Sequence, residues 1–189
     1  MSTLFGPFIQ QGYVVPDVRQ AIKHWLARGV GPFFIEELRD YPALVDGEDV
    51  QLDITAAFAY AGDQQIEVIQ CDTPVPNIYR EFLADHPSGG LHHVAVWVDD
   101  MMQAFDQIIS ADGQYQVRQQ YGDRHAYLDS VDMPGVMIQL MVREERVLEL
   151  FRIIREGADT WDGLSYPIRR IHWHEGWPTS AIPGADGFS

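Results

Sequence analysis

The sequence PSGGLHHVAVWVDD, at residues 87–100, decides the fold because its second half repeats a stretch from the start of the chain. HVAVWVDDM (93–101) lines up with QQGYVVPDV (10–18): each has a polar residue, an apolar run, an aspartate and an aliphatic residue. Such a run predicts a strand, and Asp17 and Asp100 fall where the N-cap of a following helix belongs. Each copy therefore predicts a strand that leads into a helix.

Apolar side chains at helical spacing follow each aspartate. In the first copy they are Val18, Ala21, Ile22, Trp25 and Leu26, and in the second they are Met101, Ala104, Phe105 and Ile108. This spacing is typical of an amphipathic helix. Gly29 and Gly113 mark the predicted helix ends. We expect one face of each helix to pack against a sheet.

Three strand-like runs follow each predicted helix, at 32–37, 52–60 and 65–70 in the first copy and at 115–121, 125–130 and 136–142 in the second. The order of strand, helix and three strands thus occurs twice, in residues 1–72 and 91–142. Residues 73–90 form a connection with a short helix over 78–83. The pattern predicts an α/β (α+β) fold in which two tandem βαβββ modules form a curved mixed sheet around one cavity.

Residues 143–189 are predicted to form a C-terminal helix and a tail. The helix carries apolar residues at helical spacing, and the tail contains three tryptophans: Val147, Leu150, Phe151 and Ile154, then Trp161, Trp173 and Trp177. The tail is too apolar for a plain disordered end. We expect it to dock on the body of the same chain, on a partner subunit or at the mouth of a cavity.

Composition narrows the possible partners. Apolar residues make up 46% of the chain and charged residues 22%, as in a soluble globular protein. Lys and Arg number 13 against 28 Asp and Glu, and the net charge of −15 disfavours nucleic acid and anionic membrane surfaces as partners.

Cys71 is the single cysteine, so an internal disulfide is excluded. With no signal-like or membrane-spanning segment in the sequence, we expect a cytoplasmic protein.

Four phrases carry a family resemblance: PSGGLHHVAVWVDD (87–100), QIEVIQ (65–70), ARGVGPFF (27–34) and PGVMIQLM (134–141). In this order and around the repeat, the chain resembles the vicinal-oxygen-chelate superfamily of glyoxalases, bleomycin resistance proteins and dioxygenases. The resemblance is strongest to methylmalonyl-CoA epimerase and glyoxalase I-like proteins, and it covers residues 8–142. It leaves the C-terminal tail unexplained.

The resemblance implies a metal site at the first and last strands of each module. In that superfamily these strand positions hold one divalent ion, and here they are occupied by Gln10, Glu67, His93 and Gln139. The resemblance does not distinguish Zn, Ni, Co and Mn. Because side chains alternate along a strand, we expect His92 to point to the opposite face of the sheet from His93, as a buried or helix-facing residue.

The fourth position departs from the relatives. Human-type glyoxalase I has Gln, Glu, His and Glu at these positions, and methylmalonyl-CoA epimerase has His, Gln, His and Glu. Gln139 offers an amide oxygen but no basic carboxylate. One carboxylate among four ligands implies weaker metal binding and a stronger Lewis acid. The alternative is that Gln10 and Gln139 are cavity-lining amides and that no metal is held.

The resemblance implies a metal-dependent isomerase, epimerase or lyase that acts on a small oxygen-chelating or acyl-CoA-type substrate, with Glu67 as ligand and catalytic base. The alternative is a non-catalytic, sequestering protein with aromatic residues around the cavity, namely Tyr13, Phe58, Tyr60 and Trp97. An extradiol dioxygenase is disfavoured because it needs a second histidine ligand. A homodimer is expected, since the C-terminal segment offers apolar surface and relatives commonly pair.

Four further polar residues have weaker signals. His125 lies on a predicted strand and could face the cavity, although a lone strand histidine is usually structural. His172 and His174 are interpreted as packing residues of the tail. Glu48 lies in the loop before the predicted strand 52–60, where an epimerase could place a second base.

Overall fold

The computed structural model describes residues 6–112, 115–130 and 135–181. The first module contains β1 (Gln10–Val14), α1 (Val18–Leu26), β2 (Phe33–Val45), β3 (Glu48–Ala61) and β4 (Gln64–Cys71), and α2 (Ile78–Asp85) follows in the connection. The second contains β5 (Gly90–Val98), α3 (Met101–Asp112), β6 (Tyr115–Tyr121), β7 (His125–Ser130) and β8 (Met137–Val142). The C-terminal segment adds α4 (Glu145–Asp159), β9 (Ile168–His174) and β10 (Trp177–Ala181). The predicted βαβββ order is confirmed in both modules.

The described strands form one mixed sheet in the order β10-β9-β2-β3-β4-β1-β5-β8-β7-β6. The two modules join through antiparallel pairing of β1 with β5, while β1 with β4 and β5 with β8 pair in parallel. The end of β2 also pairs with β6 through Leu44 and Gln120. This pairing brings the two ends of the eight-stranded part of the sheet together and encloses its inner face.

The hairpin of β2 and β3 is longer than the runs 32–37 and 52–60 that the sequence predicted. Residues 38–50 include Arg39, Asp40, Glu48 and Asp49, which hide the alternation expected of a strand. Several of these side chains are exposed, because this extension of the hairpin has one face in solvent. The extension carries β2 across to β6.

Helices α1 and α3 cover the outer face of the sheet. Asp17 accepts a hydrogen bond from the backbone of Gln20 at 2.9 Å, and Asp100 accepts one from Gln103 at 2.7 Å, which confirms both predicted N-caps. Apolar residues of α1 and α3 pack against the outward-facing residues of their own modules, in two separate clusters. The predicted end of the second helix, Gly113, lies outside the described residues. The inward-facing residues are thereby left to line a shared interior.

The C-terminal segment docks on the body of the same chain. In α4, Gly157 lies so close to Phe34 that an added Cβ would come within 2.5 Å of the ring. β9 pairs in parallel with residues Phe33–Ile35 of β2, and β10 completes a hairpin that the sequence did not predict. Within the described residues, no helix is both long and apolar enough to span a membrane.

Candidate functional site

A cavity of about 360 Å³ lies inside the closed part of the sheet. Both modules contribute to its wall, and α4 and the β9–β10 hairpin border it through Leu150, Trp173 and Gly176. Gln10, Glu67 and Gln139 line the cavity. His93 is fully buried beside them, with its Nε2 3.2 Å from Oε2 of Glu67. The structure therefore brings together the four positions at which the sequence predicted a metal site.

Gly12 makes the contact between His93 and Glu67 possible. It lies on β1 between these two residues, paired with Glu67 on one side and with His93 on the other. A Cβ at position 12 would lie 1.9 Å from Cε1 and 2.1 Å from Nε2 of His93. The imidazole thus occupies the space above Gly12 and crosses β1 to reach the carboxylate. The sequence analysis missed this glycine because its spacing resembles no metal motif.

The prediction that His92 points to the opposite face from His93 is wrong. The pairing of β1 with β5 shifts register between Gly12 and Tyr13, so His92 is an extra residue in β5. Such a bulge interrupts the alternation of side chains. Both rings pack near Tyr127, and the two Nδ1 atoms lie 3.0 Å apart. The His92 ring also contacts Tyr79 and Phe82 of α2, so it is helix-facing, as expected.

Neighbouring residues orient three of the four side chains. Nε2 of Gln10 donates to Oε1 of Gln65 at 2.7 Å, and Nε2 of Gln139 donates to the Tyr127 hydroxyl at 3.0 Å. The oxygens of both amides are buried and accept no well-formed hydrogen bond in the described part of the chain, and the Gln139 side chain lies close enough to His93 to raise the pKa of that imidazole against the effect of burial. The His92 contact occupies Nδ1 of His93 and leaves Nε2 facing Glu67. Each support presents the atom that could coordinate a cation.

The protonation of Glu67 and His93 is set by burial. Burial raises the pKa of Glu67 to about 8 and lowers the pKa of His93 to about 3, because a charge on either group is poorly solvated there. A divalent cation would compensate the carboxylate charge and favour a neutral imidazole. Within the described residues no group of three or more His, Cys, Asp or Glu side chains could hold a metal, and the candidate set includes two amides instead. The unpaired amide oxygens fit a cation that prefers oxygen and nitrogen donors.

Three buried tyrosines adjoin the candidate ligands. The hydroxyl of Tyr79 is 2.9 Å from that of Tyr121 and donates to that of Tyr127 at 3.2 Å. Tyr127 therefore accepts from Tyr79 and Gln139, and within the described residues its own hydrogen has no acceptor. Tyr127 also lines the cavity. Its hydroxyl is available to donate to a bound molecule.

A second carboxylate, Glu36 on β2, faces the cavity. It accepts a hydrogen bond from the indole of Trp173. Burial raises the pKa of Glu36, the Trp173 hydrogen bond lowers it, and the nearby Glu67 raises it further. Glu48, the loop residue considered as a second base, is instead exposed at the start of β3.

The remaining candidate residues are divided between cavity and surface. His125 lines the cavity. His172 and His174 are exposed on β9, so the interpretation of these two residues as packing residues of the tail is wrong. Of the four aromatic residues expected around the cavity, Phe58 lines it. The other three lie elsewhere: Tyr13 packs on Trp25, Tyr60 lies under Arg155, and Trp97 packs on Phe151. Tyr13 faces α1 on the outer side of the sheet, as alternation from Gln10 would assign it, whereas for Tyr60 and Trp97 alternation could not show how far the cavity extends.

Two βαβββ modules that share one sheet, with polar residues from their first and last strands beside one cavity, define the vicinal-oxygen-chelate fold. The chain belongs to the glyoxalase/bleomycin resistance protein/dioxygenase superfamily, whose family model matches residues 9–140. A search of curated proteins finds no match.

Solved structures align with the chain at low sequence identity. A methylmalonyl-CoA epimerase from Mycobacterium tuberculosis aligns with a TM-score of 0.50 and 16% identity, over 78% of this chain and 95% of its own. A hypothetical protein from Bacillus halodurans C-125 aligns with a TM-score of 0.49 and 14% identity, over 74% and 95%. A mutant 4-hydroxymandelate synthase from Streptomyces coelicolor gives 0.47 and 15%, over 74% and 50%.

Proposed function

We propose that the protein is a metal-dependent isomerase, epimerase or lyase. Its substrate is a small oxygen-chelating or acyl-CoA-type molecule, from which it removes a proton next to a carbonyl group. The observation that carries this proposal is the pair of unpaired amide oxygens, on Gln10 and Gln139, beside the buried Glu67 and His93. Two buried acceptors without partners would be costly unless something binds them.

Gln10, Glu67, His93 and Gln139 are the proposed ligands of one divalent cation. A cation held there would polarise two neighbouring substrate oxygens and make the adjacent C–H group more acidic. Contacts with Gln65, His92 and Tyr127 restrain three of these side chains, which supports the assignment. Little reorganisation would therefore oppose binding.

Glu36 is the base that we assign to proton removal. The sequence offered Glu67 for this role, but a carboxylate that coordinates a cation is a poor base because its lone pairs are engaged. Glu36 lies in the same cavity, and its described hydrogen bond comes from Trp173 rather than from a proposed ligand. Its raised pKa brings it closer to the acidity that proton transfer at neutral pH requires.

Tyr127 is the donor that we assign to the carbonyl oxygen. When Glu36 takes the proton from carbon, the electron pair moves towards that oxygen, where negative charge develops. The free hydroxyl hydrogen of Tyr127 can stabilise this charge without rearrangement, because Tyr79 and Gln139 already fix the hydroxyl oxygen. Delivery of a proton to the opposite face of the same carbon gives an epimer, and return of the proton from Glu36 to the neighbouring carbon gives an isomer.

The test is proton exchange by metal-reconstituted protein in D₂O. The probes are methylmalonyl-CoA and the hemithioacetal of methylglyoxal with glutathione, followed by NMR. We expect stoichiometric divalent metal and deuterium incorporation into at least one probe. Glu36→Gln should keep the metal and slow exchange by about 100-fold or more. The matched control is Glu37→Gln, since Glu37 is the next residue on β2 and is exposed and paired with Arg170.

Two outcomes would contradict the proposal. Failure of the reconstituted protein to retain any divalent metal would remove its basis, and wild-type exchange in Glu36→Gln would remove Glu36 as the base.

The aromatic side chains around the cavity, such as Tyr41, Phe58 and Phe151, favour one alternative, a small-molecule-binding protein without turnover. Tight binding of a probe by protein that neither holds metal nor exchanges protons would favour that alternative.

A further inference from the structure

The cavity has a basic end that the proposed chemistry does not use. Arg124 lies in the turn between β6 and β7, His125 begins β7, and Arg146 lies in the first turn of α4; all three line the cavity. In the pairing of β7 with β8, His125 is opposite Met141 and Tyr127 is opposite Gln139. The pair His125–Met141 and the pair Tyr127–Gln139 are two residues apart along each strand, which is a distance of roughly 7 Å. The basic end therefore lies about one small substituted ring away from the proposed metal ligands.

The guanidinium of Arg124 has no ion-pair partner within the described residues. Arg146 forms an ion pair with Glu144 at 2.6 Å, whereas the guanidinium of Arg124 makes neither a hydrogen bond nor an ion pair in the described part of the chain. The protein as a whole carries a net charge of −15. A half-buried arginine without a partner, facing a cavity of so acidic a protein, calls for an anion that the protein itself does not supply.

The two cavity carboxylates do not fill this role. The hydrogen bonds described for these carboxylates join Glu36 to Trp173 and Glu67 to His93, and neither carboxylate pairs with Arg124 in the described part of the chain. Arg124 lies close to His125, whose pKa is lowered to about 4 by burial and then by that guanidinium, against the opposing effect of Glu144, which is already paired with Arg146. His125 is therefore neutral near pH 7. A negatively charged group entering this end would meet Arg124 as its ion-pair partner.

We infer that the substrate carries a carboxylate that Arg124 binds, separated by a short apolar spacer from the oxygens that chelate the metal. The position of the chelating oxygens rests on the proposed function. Tyr41 and Phe151 line the cavity and suit a flat spacer such as a benzene ring. A volume of about 360 Å³ holds a molecule of this size, whereas the nucleotide of an acyl-CoA would have to remain outside.

The experiment compares two probes that differ in one charge. (4-Carboxyphenyl)glyoxylate has a chelating head and a distal carboxylate, and (4-isopropylphenyl)glyoxylate has the same head with an uncharged group of the same shape. Calorimetry on the metal-loaded, full-length protein should show about tenfold or more tighter binding of the carboxylate probe. Arg124→Gln should reduce this preference to less than about threefold, and Arg124→Lys should restore part of it by restoring the charge.

Arg152→Gln is the control, because Arg152 is exposed on α4 and already pairs with Glu149 and Glu156. It should leave the preference unchanged. Equal affinity for the two probes, failure of the carboxylate probe to bind, or an unchanged preference in a folded Arg124→Gln protein would overturn the inference. Chelation of the metal separates the two proposals. If removal of the metal by a chelator weakens binding of both probes, but the two bind with equal affinity, the inference fails and the metal site stands. If the carboxylate probe still binds more tightly and removal of the metal changes neither affinity, the metal site fails and the inference stands.

Discussion

Replacement of Gly12 by alanine tests the geometry of the site with a single added methyl group. The new Cβ would lie 1.9 Å from Cε1 of His93, whereas non-bonded carbon atoms need about 3.5 Å. The ring would have to move by roughly 1.6 Å to restore that contact distance. It has little room to do so, because it is fully buried between Glu67, His92 and Tyr127.

Two effects should follow from Gly12→Ala. Overpacking of this kind costs about 1–3 kcal/mol, and a protein of this size should lose roughly 2–12 °C of melting temperature. Displacement of His93 should also weaken divalent metal binding by about 10- to 100-fold, as when a residue that orients a ligand is removed. Backbone strain is not part of this expectation, since Gly12 has no positive φ.

Gly90→Ala is the matched control. Gly90 also lies on a strand at the junction of the modules, but an added Cβ would be 3.6 Å from the Phe82 ring, an ordinary contact distance. The assay is thermal denaturation together with titration of zinc into metal-free protein, for the wild type and both variants. Wild-type stability and zinc affinity in Gly12→Ala would refute the placement of the His93 ring over β1.

Four further predictions concern the site and the assembly. His93→Ala should abolish metal binding because it removes the nitrogen donor. His92→Ala should weaken metal binding about tenfold because it removes the contact to Nδ1 of His93. A zinc titration in which His92→Ala has the wild-type affinity would contradict this prediction. Gln139→Glu should tighten zinc binding by adding a second carboxylate, as the same titration would measure. Glu67→Gln should stabilise the metal-free protein, on the order of 3 kcal/mol at pH 7, because the pKa of about 8 makes unfolding release a proton from this carboxyl. Stability of the wild type should therefore fall between pH 4.5 and 8, and the gain in Glu67→Gln should grow over that range in denaturation at several pH values. A homodimer remains a prediction, supported by exposed Leu148 and Leu164, and light scattering would test it.

The repeat and its helices could be predicted from local sequence. Helix α1 begins and ends where the sequence predicted, because Asp17 caps it and its apolar positions keep one spacing as far as Leu26. The family resemblance placed Gln10, Glu67 and Gln139 at inward-facing strand positions, and all three line the cavity. These features depend on residues a few positions apart, which a single sequence displays directly.

Features that depend on pairing between distant strands could not be predicted in this way. The register shift at Gly12 arises from how β1 meets β5, and it moved His92 away from the face that alternation assigns. The reach of β2 to β6 and the addition of β9 to β2 likewise join segments far apart in the chain. Glu36 escaped notice because its neighbours Glu37 and Arg39 give the strand a solvent-exposed character, and the cavity at Glu36 is completed by Trp173 from the tail.

The amide at position 139 is better understood from its hydrogen bonds than from the carboxylate that it replaces. A carboxylate there could only accept, so Tyr127 would have to donate its hydrogen to it. The amide instead donates to Tyr127 and leaves its own oxygen towards the candidate metal site. Tyr127 consequently keeps its hydrogen for a ligand in the cavity. Gln139 therefore supplies no base but leaves Tyr127 a hydrogen to donate. In the proposed function the proton is accepted by Glu36, a carboxylate that is not a proposed ligand.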